Sequence, residues 1–84
     1  MKRKHTKLLA AIFAHPTSAN IQWHEVEALF KSLGADIEER EGSRVAVVLF
    51  GELHVFHRPH PEPTTDKGAI ASIRKWLDSH GVKP

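Results

Sequence analysis

Residues 44–58 constrain this chain more than any other stretch. Arg44 to Phe50 is an almost unbroken apolar, β-branched run, Leu53 to Arg58 is a second extended segment, and Gly51-Glu52 separates them. Extended runs joined by two residues must pair antiparallel, because a parallel crossover needs about a dozen residues or more. Glycine in the first position predicts a type II′ turn at Gly51-Glu52. Upstream, Ala35 to Arg40 carries the apolar and charged mixture of a half-exposed edge strand. Glu41-Gly42-Ser43 then turns into the central strand, with Gly42 free to take positive φ. Pro59 and Pro61 stop the returning strand. Three antiparallel strands cannot bury themselves, so the rest of the chain must cover one face and leave the other for solvent or ligand.

Three amphipathic stretches are available for that cover. From about Gln22 to Leu33, Trp23, Val26, Phe30 and Leu33 recur at helical spacing with Leu29 beside them, and Gly34 supplies the C-cap. Thr65 or Asp66 is placed to cap a last helix running to about His80, with Ile70, Ile73 and Leu77 as its stripe, Ala69 and Trp76 alongside, and Gly81 closing it. Near the start, Thr6 is expected to cap a helix bearing Leu8, Leu9, Ile12 and Phe13, which Pro16 ends. The expected fold is α+β, in the order α-α-β-β-β-α, with a three-stranded antiparallel sheet and helices packed on one face. Residues 1–84 are read as one domain, with 1–21 an N-terminal extension and 22–82 the core. Trp23 and Trp76 sit at apolar helical spacings and are expected in that core.

With 84 residues and no cysteine, the chain lacks the disulfides that small secreted domains rely on, which favours a reducing, cytoplasmic setting. The basic start, Met1-Lys2-Arg3-Lys4-His5, is followed by an apolar stretch of only seven residues, Leu8 to Ala14, without a small-residue cleavage site, so export is not expected. No apolar run approaches the roughly 20 residues of a membrane span, and the expectation is a soluble protein with no membrane partner. Charge is unevenly spread. Residues 1–24 hold four Lys/Arg and no acid, 25–41 hold six acids against two Lys/Arg, and 42–84 hold six Lys/Arg against four acids. That pattern suits an anion-binding face beside a separate acidic one.

A helix ending in Leu33-Gly34, a strand, the Gly42-Ser43 turn, two more strands, the Pro59-His60-Pro61 loop, then Lys67-Gly68 opening into Ile70, Ser72 and Ile73: in this order and spacing the chain resembles the HicA family. Those are toxins of bacterial toxin–antitoxin pairs, with a fold like the double-stranded-RNA-binding domain. The likeness runs from about Trp23 to Val82. It implies an mRNA interferase, an endoribonuclease that cuts messenger RNA without a ribosome, held in check by a HicB antitoxin that covers the site. In the family the Gly-Ser turn is typically followed by one or two histidines, one of them catalytic. Here Arg44 and Val45 follow, and an arginine stays protonated and cannot act as a general base.

Cleaving RNA through its own 2′-hydroxyl needs a base, an acid for the leaving oxygen and positive charge near the phosphate. Histidine suits both proton roles, and His54, His57 and His60 fall within seven residues. Alternation along the strand puts His54 and His57 on opposite faces. The expected catalytic set is His57, which abuts the loop, with His60 and Arg44. For RNA contact the candidates are Ser43, Arg44, Arg58, Lys67, Arg74 and Lys75, with backbone amides near Lys67-Gly68 as a candidate phosphate cradle. Lys2, Arg3, Lys4 and Lys7 form a basic arm that adds non-specific affinity at most. The His-x-x-His-x-x-His spacing splits its members between faces, so no metal and no other cofactor is expected. Three readings stay open: an RNA-cleaving toxin, a module that binds RNA without cutting it, and a protein-interaction domain for a HicB-like partner.

Overall fold

The computed structural model describes residues 2–84. The elements are α1 (Arg3–Ile12), α2 (Trp23–Ser32), β1 (Asp36–Arg40), β2 (Arg44–Leu49), β3 (Glu52–His57) and α3 (Lys67–Ser79). The strands form one antiparallel sheet in the order β1-β2-β3, which confirms the α+β architecture and the α-α-β-β-β-α order.

The register decides what each face carries, because directly paired residues project to the same side. Glu39, Val45 and Phe56 form one row of the inner face, and Ile37, Val47 and His54 the next. Arg40, Arg44 and His57 form a row on the outer face, beside Glu38, Ala46 and Val55 and then Asp36, Val48 and Leu53. The three helices bury their stripes in one core behind the inner face, with α1 lying against α2 and α3. Leu8, Leu9 and Ile12 of α1, Val26, Leu29 and Phe30 of α2, and Ile70, Ile73 and Leu77 of α3 join Val45, Val47 and Phe56 in a single cluster. The N-terminal helix therefore packs on the core. Each fully buried side chain of this size contributes about 1.5–3 kcal/mol. Trp23 and Trp76 are also core residues, each 4% exposed.

Two details depart from expectation. The hairpin turn is Phe50-Gly51, since Leu49 pairs with Glu52, and both turn residues have positive φ (57° and 73°), as a type I′ turn requires. A left-handed phenylalanine costs about 1–3 kcal/mol. It is compensated by the Phe50 ring lying edge-on to Trp76 and stacked on His80 at 4.2 Å. Thr6 does not cap α1. The helix begins at Arg3, and the Thr6 hydroxyl sits inside it, donating to the Lys2 carbonyl at 3.3 Å. At α3 the cap is Asp66, whose carboxylate accepts from the Ala69 amide.

Candidate nucleic-acid interface

The segment after β3 is fastened before it reaches α3. The Trp23 amide donates to the Pro63 carbonyl, and the Thr65 amide donates to the Ile21 carbonyl. This places the start of α3 alongside β3 and opens a groove of about 630 Å³ between them. His54, His57, Thr65, Lys67, Gly68 and Ser72 are among its lining residues. Because the groove follows a strand, it meets side chains from both faces of the sheet. His54 and His57, separated by alternation, therefore border the same hollow.

Their surroundings differ. His54 lies flat on the Trp76 indole, with ring centroids 3.8 Å apart and planes at 18°. Its Nε2 stands 4.0 Å from Glu52 Oε1. That carboxylate oxygen also accepts from Trp76 Nε1 at 2.6 Å and pairs with His80 Nε2 at 3.0 Å. Hydrogen bonds from His80 and Trp76 hold the Glu52 carboxyl below the usual carboxylate range. His57 projects from the outer face directly across from Arg44. Arg44 is exposed, and its Nε donates to the Glu41 carbonyl at 3.0 Å, leaning the side chain toward the β1–β2 turn. Of the expected catalytic set, the fold makes Arg44 and His57 cross-strand neighbours. His60, exposed beyond Pro59, is not among the groove's lining residues. Sequence reasoning passed over His54 as a site residue. Its signal was the alternation itself, once Phe56 marks the inner face.

The candidate RNA-contacting cations divide. Lys67 lines the groove, and Lys75 lines a smaller hollow with His54, Ser72 and Trp76. Arg58 turns instead to carboxylates. Its Nε and one terminal nitrogen donate to Glu27 Oε2 at 3.2 and 2.9 Å, and the other terminal nitrogen bonds Glu39. The Arg58 bond keeps the Glu39 carboxyl below its ordinary range. Arg74 donates to the Ile12 carbonyl at 2.9 Å and to Thr17 Oγ1 at 2.7 Å, tying α3 to the end of α1. Ser43 lies in the β1–β2 turn with φ 62°, its carbonyl accepting from the Arg58 amide. The amide cradle at Lys67-Gly68 is partly taken, because the Asp66 carboxylate holds the Ala69 amide at 3.2 Å. A Cβ on Gly68 would stand 3.0 Å from that carboxylate oxygen, so the glycine makes room for the cap.

A sheet backed by helices on one side, with histidines along β3 and a lysine at the start of the facing α3, defines a small α+β domain with a groove along its edge strand. The family model described as HicA toxin of bacterial toxin-antitoxin matches residues 23–78, more than half of the chain, and the protein belongs to the HicA toxin family. Searches of curated proteins and of solved structures gave no match. Among the described residues, no helix is long and apolar enough to cross a membrane, and no group of His, Asp or Glu is arranged to hold a metal ion.

Proposed function

We propose that this toxin is an endoribonuclease of the mRNA interferase type whose site is the groove between β3 and α3. The observation that carries the reading is that His54, His57 and Lys67 border one hollow. An RNA strand lying there meets two imidazoles and an ammonium group. The 2′-oxygen attacks the adjacent phosphorus while the P–O5′ bond breaks, giving a 2′,3′-cyclic phosphate and a 5′-hydroxyl. One imidazole takes the proton of the 2′-hydroxyl and a second, protonated, delivers one to the departing O5′. His54, beside the Glu52 carboxylate, and His57, paired in register with Arg44, share these two roles. Lys67 supplies positive charge to the phosphate. A HicB-type antitoxin that occupies the groove would silence the site, and the cytoplasm is where the substrate would be met.

Purified, antitoxin-free protein incubated with mixed-sequence RNA tests this. The expected products end in cyclic phosphate, and His57→Ala lowers their yield about 10²- to 10⁴-fold. Intact RNA with the wild-type protein ends the nuclease reading. One observation favours binding without cleavage: Arg44 occupies the position that follows Gly42-Ser43. An inert parent whose Arg44→His variant cuts RNA would identify a nuclease silenced at that position.

A further inference from the structure

The N-terminal helix lies outside the residues matched to the family, and the proposed site uses none of it. Between α1 and the last turn of α2 is a concavity of about 900 Å³, lined by Lys2, Lys4, His5, Ala28, Lys31 and Ser32. No acidic residue lines it. Among the described residues, no ion pair involves Lys2, Lys4 or Lys31. Glu27, one turn before Lys31, is occupied by Arg58 and Trp23. Three ammonium groups therefore border one hollow with no counter-charge. His5 borders it too, 6% exposed, with neither ring nitrogen hydrogen-bonded. An imidazole always has at least one N–H to donate, and a buried donor without an acceptor is unfavourable. An anion that accepts hydrogen bonds would answer both the ammonium charge and the buried imidazole.

We propose that this concavity binds a phosphate group of a polynucleotide backbone, giving the N-terminal helix a contact with nucleic acid separate from the groove. Lysines suit the task as mobile point charges on a phosphate. The choice of a polynucleotide as the source of the phosphate rests on the RNA reading of the groove; the anion chemistry rests on the concavity alone.

Binding of the full chain to a labelled 2′-O-methyl oligonucleotide, which lacks the attacking hydroxyl, tests the proposal. For the double variant Lys4→Gln/Lys31→Gln we expect affinity to fall about 3- to 10-fold at 0.1 M salt and the salt slope to shrink by about 0.7 for each phosphate no longer neutralised. His5→Phe, which keeps the buried volume and removes the nitrogens, should weaken binding by a smaller factor. With inorganic phosphate as the probe, the His5 ring signals should shift saturably in the wild type and not in the double variant. Equal affinity and equal slope for wild type and double variant overturn the proposal. So does stronger binding to phosphatidylglycerol vesicles than to the oligonucleotide, which would assign the lysines to a lipid surface. Lys67→Gln reports on the groove separately. If it leaves binding unchanged while the double variant weakens it, the groove reading fails and the N-terminal site stands.

Discussion

Arg58 and Lys67 begin and end the same connecting segment, and their charges meet opposite fates. Arg58 lies between Glu27 and Glu39 and joins the end of β3 to α2 and β1. Lys67 opens α3 with no carboxylate partner among the described residues and faces the groove. Arg74 and Lys75 repeat the contrast on adjacent positions of one helix, the first bonded to Ile12 and Thr17, the second at the edge of a hollow. A cation matched within the fold contributes to stability, and an unmatched one is available to a ligand. If this division is right, variants of the two kinds should fail different assays.

The largest separation is expected at the histidines. His57→Ala should lower RNA cleavage about 10²- to 10⁴-fold, the range for losing a proton-transfer group, while stability changes by less than about 0.5 kcal/mol because the side chain is exposed. His54→Ala should lose activity similarly but also lower Tm, since its ring covers Trp76. Next comes Arg74→Ala, expected to destabilise by about 1–3 kcal/mol because the Ile12 carbonyl loses its partner. Denaturant unfolding measures this, and an unchanged midpoint would place Arg74 with the ligand-facing cations instead. Lys67→Gln should leave the midpoint alone and weaken RNA binding several-fold, reducing the salt slope by about 0.7. A shift in Tm with unchanged binding would break the comparison.

The smallest effect concerns acid. The Glu39 and Glu52 carboxyls are held below their ordinary value of 4.5 in the folded protein. Below that value the unfolded chain binds the proton first, so their stabilisation is complete above it and is lost as pH falls through the lowered folded values. Thermal melts of Glu39→Gln and Glu52→Gln should therefore lie below wild type near neutral pH and converge with it in acid. Curves that stay parallel to the lowest pH would remove these carboxylates from the account.

The sheet order, both core helices and, to within one residue, the α3 cap were legible in the sequence because each depends on local spacing. The cross-strand meeting of Arg44 with His57 did not follow from the expected turn, which pairs Arg44 with Pro59 and His57 with Ala46 and keeps only their shared face. The turn itself was misplaced by one residue. Glycine-first chemistry favours Gly51-Glu52, and the preference for Phe50-Gly51 comes from Trp76 and His80, which lie far along the chain. The face carrying His54 was hidden because β2 is apolar on both sides, apart from Arg44, so its own pattern does not say which side meets the helices. The roles of Arg58 and Arg74 depend on partners in α2, β1 and the end of α1, and no periodicity encodes such pairings.

The left-handed Phe50 has a consequence for the order of assembly. Its ring finds its two aromatic neighbours only on α3 and at its C-cap, so the tip of the β2–β3 hairpin gains its support only after that helix has been synthesised. Until then the strand bearing both groove histidines has a poorly secured end and lacks the opposite wall. A nascent chain would thus complete the groove between β3 and α3 only once α3 has been synthesised and docked.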